Sequence, residues 1–414
     1  MFRYFFHSPG LQKTSPRAFS GQGLWFLGLL SLPIFLCLIP ENAWAQAKPA
    51  PASFDSLSKR AAEARDADRL EEAAALYTKA LALQPRWIEG WWSLGTLEYD
   101  QDHYGKAERD FARLIALDPA NGTAHAMLGL CQFELGKDAL ALKNLLDAAR
   151  LGVVKDERLR VVALYHLGVL QLRAGKYGAA KETLGQLARD RVRTKELTTG
   201  LGLAALLMKP QDAPPEGTPG ASVVERAGEA EVLLTANEFE QAKQKYAELT
   251  SEFPEYPNLH FAFGRLLLEA HETDEAVQEF QLELKRDPKN VNSMLEIAAA
   301  WQLVDSQGGL EYAEKAVKLA PGLPFAHYIV GVLRLNTGNA AGAIPDLEIA
   351  QKSFPNEAGV YFALGNAYAR VGRKAEAVKA RAEFARLSAE AAKQPGPKIY
   401  GEQVRTLDKE KLHQ

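Results

Sequence analysis

The chain has 414 residues, 47% hydrophobic and 24% charged, the balance of an ordinary globular protein, which excludes a disordered or fibrous one. Its 49 basic and 52 acidic side chains interleave to a formal net charge of -3, so neither a basic face for nucleic acid nor an acidic tail for a cationic ligand is present. With only 2 cysteines, a disulfide framework is excluded as well.

Residues 1–45 read as a secretory signal. Arg3, Lys13 and Arg17 precede the apolar run Leu24 to Ile39, and Ala43-Trp44-Ala45 offers a small-residue cleavage site. The run has 16 residues, about 24 Å as a helix against a hydrocarbon core of about 30 Å, and Pro33 interrupts it, so a spanning helix is the weaker reading. The charged leader is longer than such signals usually carry, which leaves an uncleaved membrane anchor as the alternative. Leu36 before Cys37 is too large for a lipoprotein signal. Cleavage after Ala45 removes three basic residues and one acidic one, giving a mature charge of -5 and a single cysteine, Cys131. No internal disulfide can then form, and packing must supply the stability. Residues 46–54 form a linker.

From residue 55 the chain repeats itself. Pro85 and Pro119 lie 34 residues apart, Pro254 and Pro288 again 34, Pro321 follows at 33 and Pro355 at 34. Gly95 to Gly129, Gly168 to Gly202 and Gly331 to Gly365 keep the same step of 34. An alanine and then a large apolar residue follow in fixed register, as in Ala107 and Phe111, Ala242 and Tyr246, Ala276 and Phe280, Ala343 and Leu347. A small residue lets two helices approach, a large one fills the gap beside it, and proline stops the second helix.

These residues resemble the tetratricopeptide repeat, W-x2-L-G-x2-Y, then A-x3-F, then P in 34 residues. GWWSLGTLEY, Gly90 to Tyr99, carries its first part. The resemblance implies an all-α, right-handed superhelical solenoid of helix-turn-helix repeats, each pair covering the open face of the last. Nine repeats are expected: 55–86, 88–121, 122–155, 161–193, 223–256, 257–290, 291–322, 324–357 and 358–391. The wider step of 39 from Gly129 to Gly168 predicts about five extra residues in a turn near Leu151 to Glu157.

A good first helix is predicted over Lys195 to Met208, but KPQDAPPEGTPG, Lys209 to Gly220, with four prolines and two glycines, excludes a second helix after it. The expected organisation is therefore an N-terminal array over 55–208, a Pro/Gly-rich joint over 209–221 and a C-terminal array over 222–391. Residues 392–414 are a charged tail, disordered or at most a short loose helix.

Motifs for chemistry do not emerge. His271 begins HETDE, but the second histidine of a zinc helix would fall at Glu275. His125, His260 and His327 fall at repeat position 4, where Trp91 and Tyr361 stand, and read as flat rings substituting for tryptophan in packing. His103 and His166 show no carboxylate or cysteine at ligand spacing, and Cys131 sits at a small-residue core position. GLGLAA, Gly200 to Ala205, is a weak echo of a nucleotide loop without its third glycine. No catalytic residue, cofactor or metal is expected, and the chain does not read as an enzyme.

In the family the first helices line the concave side, and repeat positions 5 and 12 point into that groove. The resemblance therefore implies a partner-binding groove lined by Trp92, Tyr99, Phe133, Tyr165, Leu172, Phe261, Leu268, Tyr328, Leu335 and Phe362. Carboxylate-clamping members set lysine, asparagine and arginine there, and this chain has only scattered pieces such as Asn366 and Arg370. Apolar lining suits an extended apolar segment or an amphipathic helix of a protein or peptide partner. The implied function is a non-enzymatic scaffold of the bacterial cell envelope, periplasmic or secreted, with no nucleic acid and with membrane contact only if the leader is uncleaved. The alternative is a structural subunit of an envelope, export or polysaccharide-secretion assembly with fixed oligomer contacts.

Overall fold

The computed structural model describes residues 53–153 and 156–393. The expected signal, its cleavage site, most of the linker and all but the start of the tail lie outside them. The described residues form 19 α-helices and no strand.

Two compact units divide the chain, one up to Gly136 and one from Lys137. The first contains α1 (Phe54–Asp66), α2 (Leu70–Leu83), α3 (Ile88–Asp100), α4 (Tyr104–Leu117) and α5 (Gly122–Glu134). The second opens with α6 (Asp138–Leu151), α7 (Glu157–Arg173), α8 (Tyr177–Arg189), α9 (Lys195–Ala205), α10 (Pro219–Thr235) and α11 (Phe239–Glu252). It continues with α12 (Leu259–Glu269), α13 (Thr273–Arg286), α14 (Val291–Ala300), α15 (Ser306–Leu319), α16 (Pro324–Asn336), α17 (Ala340–Ser353), α18 (Ala358–Arg370) and α19 (Lys374–Lys393).

Two local devices set the helix ends. Pro85, Pro119, Pro254, Pro288, Pro321 and Pro355 each stand two residues past the last residue of α2, α4, α11, α13, α15 and α17. Proline disfavours helical backbone in the residue before it, so each helix stops there. Inside the pairs, the middle residue of a three-residue loop adopts the left-handed conformation: Asp68, Asp102, Asn237 and His271 at φ near +60°, Gly175, Gly338 and Gly372 at larger values. Glycine, asparagine and aspartate tolerate that region best, and His271 adopts it in the α12–α13 turn.

Within a pair the crossing point is a small residue against a large one sixteen further on. A Cβ added at Gly168 would meet Leu184 at 2.5 Å, and one at Gly331 would meet Leu347 at 2.6 Å. Phe111, Phe280 and Tyr246 are fully buried at the same place in their own pairs.

The structure corrects two expectations. The extra residues before α7 do not simply lengthen a turn: α7 has 17 residues against 13 in α3 and α5, and Asp156 caps its added first turn by accepting from the amides of Arg158 and Leu159. At 209–221 the core is not interrupted. Pro210–Asp212 form a 3-10 turn, Thr218 caps α10, and Pro219 takes the first helical turn, where a missing N–H costs nothing. Helix α10 then packs on α9 so closely that a Cβ at Gly202 would lie 1.9 Å from the Val224 carbonyl oxygen, and one at Gly228 1.9 Å from that of Thr198. The glycines of GLGLAA thus serve a helix crossing. One apolar cluster runs from Leu172 through Leu201, Val224 and Tyr246 to Ile297. A second extends from Met294 to Ala380, and Leu284 and Tyr312 pack against both.

Polar contacts lock the same region. The Lys181 ammonium, on α8, lies 2.9 Å from Glu231 on α10 and 2.9 Å from Glu269 on α12. The Tyr246 hydroxyl donates to the other oxygen of Glu231 at 2.9 Å. Burial alone would lower the Lys181 pKa, but Glu231 and Glu269 hold it above its ordinary value.

If the α9–α10 crossing depends on backbone approach, Gly202→Ala forces the two helices apart and costs about 1–3 kcal/mol or more. Gly105→Ala, where an added Cβ meets nothing within 4 Å, is neutral or slightly stabilising. Urea unfolding of both variants checks the contrast.

Candidate functional site

The first helices place the expected groove residues in three different environments. Leu172, Phe261, Tyr328 and Leu335 are buried, at 6% exposure or less. Trp92, Tyr99, Phe133, Tyr165 and Leu268 are half-buried, and Phe362 is exposed. Repeat register therefore brings these side chains to equivalent positions but not to one uniform open surface. Each of the four buried residues belongs to one of the two apolar clusters of the second unit, so it acts as core.

In the first unit the two adjacent tryptophans separate as a helix requires, with successive side chains about 100° apart. The Trp91 indole N–H donates to the Pro85 carbonyl at 2.9 Å, and the ring packs on the cluster of Leu57, Tyr77 and Leu94. The Trp92 ring instead meets Phe111 edge-on, with centroids 5.6 Å apart. Tyr99, two turns further along α3, packs against Tyr104 in the same fashion at 5.3 Å. These aromatic surfaces remain partly accessible, and Trp92 both supports the fold and faces outward.

The position-4 rings do more than fill space. His125 and His327 place Nε2 3.2 and 3.0 Å from the carbonyls of Pro119 and Pro321, and the Tyr361 hydroxyl donates to Pro355 at 2.9 Å. Each partner is the proline six residues earlier, as with Trp91 and Pro85. A turn carbonyl near the helix end is thereby satisfied, so the position selects a ring with an N–H or O–H, which tryptophan, tyrosine and histidine share and phenylalanine lacks.

A second pattern escaped sequence reading. Nineteen residues after His260 and His327 stand Glu279 and Asp346, whose carboxylates lie 2.6 and 2.7 Å from the Nδ1 atoms. Asp346 also accepts from Arg334 at 2.5 Å. The same step from Trp91 leads to Asp110. The recurrence of the interval was the available signal. His103 also has a carboxylate after all, Glu98 at 2.7 Å, while His166 is bonded to the Val162 carbonyl.

The remaining candidates are structural. Arg370 donates to the Leu335 carbonyl at 2.5 Å. Cys131 is fully buried, and burial pushes its thiol up to about 12, far from a reactive thiolate. Among the described residues, no three histidine, cysteine or acidic side chains group as a metal site, and no helix is long and apolar enough to cross a membrane.

Two groups make stability depend on pH in the same direction. Burial pushes the Asp110 carboxyl up to about 7, with Glu98 adding to the effect. The hydrogen bond that His260 donates to the Glu279 carboxylate raises the His260 pKa against its burial. In both cases the folded state holds the proton more tightly than the unfolded one, so the stabilisation is present at low pH and lost as pH rises through the folded value. Asp110→Asn should raise the Tm relative to the parent at about pH 8, and that gain should shrink as pH falls and vanish by about pH 2.5, where the carboxyl is protonated in both states. Thermal unfolding across that range measures it.

The repeat pattern is matched by family models. Tetratricopeptide repeat models match residues 92–152 and 331–392, 233–299, and 162–190, together more than half of the chain. Superkiller protein 3 of Schizosaccharomyces pombe is 25% identical over 299 residues, covering 70% of this chain, which spans only 20% of that protein. Among solved structures, MamA is 19% identical, over 40% of this chain and 97% of its own, at a TM-score of 0.37. The anaphase-promoting complex hetero-tetramer Cut9–Hcn1 gives 14% identity over 82% of this chain and 88% of its own, at 0.36. With its paired helices, its proline stops and its small-against-large crossings, the chain belongs to the tetratricopeptide repeat family.

Proposed function

We propose that the protein is a non-enzymatic binding scaffold of the bacterial cell envelope, whose first helices hold an apolar segment or amphipathic helix of a protein partner. Arrays of this family work as protein-interaction scaffolds, and the observation that carries the finer reading is the lining. Trp92 and Tyr99 in one unit and Leu268 in the other sit at groove positions with apolar surface still partly accessible. Large rings held by edge contacts lose little entropy on binding, and a few such anchors supply most of an interface's energy. The leader of basic residues, apolar run and Ala43-Trp44-Ala45 supports export to the periplasm.

Export predicts a mature chain starting at Gln46. N-terminal sequencing of protein from the envelope fraction reads this directly, and recovery of intact Met1 would favour a membrane anchor instead.

The groove reading is tested by affinity capture from an envelope extract, comparing the parent with Trp92→Ala and Leu268→Ala after circular dichroism shows that both fold. Each substitution should weaken a captured partner by about 2 kcal/mol, roughly thirtyfold. Retention of the same partners at parental affinity by both variants would refute the groove as the binding surface.

A further inference from the structure

The first helices α3 and α5 of the first unit carry charge of one sign. Together they hold four acidic side chains, Glu89, Glu98, Asp100 and Glu134, and no basic one. Glu98 is buried and bonded to His103 and Lys106, so it serves the fold. The other three are exposed. At 100° per residue, Glu89, Trp92, Tyr99 and Asp100 fall within one arc of about 100° on α3, so the half-open rings and two carboxylates share a face. The acids also keep the repeat register. Asp66, Asp100 and Glu134 are the last residues of α1, α3 and α5, each 34 residues after the one before. A helix C-terminus already carries partial negative charge and disfavours an acid. Arg65 offsets this at Asp66, 2.9 Å away, but the last turns of α3 and α5 hold no base. After burial, the Glu134, Asp100 and Asp102 carboxylates raise the Tyr99 hydroxyl pKa, so this charge reaches the rings. Acids set against the helix dipole beside accessible rings work against the fold and suit a cation from outside.

We propose that this face binds a basic amphipathic helix of a protein partner, with apolar side chains on Trp92 and Tyr99 and lysines or arginines against Glu89 and Asp100. The inference rests on the groove reading above and adds the sign of the partner's charge. Charge complementarity chooses the occupant. A neutral apolar segment would desolvate Glu89 and Asp100 without pairing them, and an acidic one would set like charges against them. Ammonium or guanidinium groups pair with both carboxylates and also lie favourably on the ring faces. A small cation would use the carboxylates but leave the apolar rings between them uncovered. Spacing sets the pattern: Glu89 and Asp100 stand about 16 Å apart along α3, so bases about three turns apart on one partner helix meet both.

Fluorescence anisotropy on the full chain tests this with two labelled synthetic helices of about 18 residues, five turns, one of leucine and lysine and one with glutamate in place of lysine. The lysine helix should bind at least about tenfold tighter, and Glu89→Lys with Asp100→Lys should reverse that preference. Both side chains are exposed, so the fold tolerates the change, and the milder Glu89→Gln with Asp100→Asn should give an intermediate loss. Equal binding of the two helices, or a preference unmoved by the charge reversal, would sink the charge assignment while leaving the groove in place. Binding of the lysine helix that survives Trp92→Ala, or that polylysine without leucine matches, would mean general attraction to charge and overturn the docking face. Binding of neither helix would also overturn it, and the groove itself is then decided by the capture from envelope extract.

Discussion

The array depends on one steric fit, the small residue of a first helix received by the large residue sixteen positions later in the second. Leu184 and Phe280 pack over Gly168 and Gly264 so closely that a Cβ added at either glycine would lie 2.5 or 2.6 Å from them. This fixes how near the two axes lie, which in turn fixes the width of the ledge on which the next pair rests. Where the fit is repeated, the stacking is repeated, and the solenoid needs no other instruction. In the α18–α19 pair Arg381 takes the place of the large apolar residue, its Cγ 3.1 Å from where a Cβ at Gly365 would lie.

Most of this was legible because it is local and periodic. Proline stops and the Gly95 and Phe111 pattern follow from spacing, and the type of fold from the family resemblance that this spacing carries. The joint shows where spacing stops: four prolines and two glycines say that 209–220 cannot be a helix interior, but they do not forbid a helix from starting at its edge. Thr218 and Pro219 start one, and Gly228 shows why it is retained, since only a residue without a side chain admits the Thr198 carbonyl. A contact between Gly202 and Gly228 has no signature in either segment read by itself.

The groove was legible as a register and not as a surface. Repeat position says where Phe261 and Trp92 point, but exposure is decided by the neighbouring helices. Phe261 leans on Phe280 with ring centroids 5.8 Å apart and disappears into the core, while Trp92 meets Phe111 at a similar 5.6 Å and remains half-open. The position-4 rings were read as shape alone because sequence does not show the carbonyl they serve. Their polar edge explains why Trp91, His125, His327 and Tyr361 interchange: each satisfies a proline carbonyl whose desolvation would otherwise oppose folding.

The irregular stretch around α9 and α10 shows what replaces the repeat when its period is lost. Position 21 carries a buried apolar side chain in some pairs, Val277 and Ile344, and a charged one in others, Glu108, Lys243 and Glu311. At the equivalent place α8 carries Lys181, whose ammonium reaches carboxylates on both α10 and α12. An apolar contact there would hold the helices together while tolerating a slide along their axes. Two ion pairs at 2.9 Å, with Glu231 also held by Tyr246, are satisfied at one register only, because a displaced helix would leave a buried charge without its partner. Such a triad adds little net stability over well-packed hydrophobic residues, so its contribution lies in direction. It specifies how α10 and α12 stand on α8 at a place where the 34-residue pattern no longer does so.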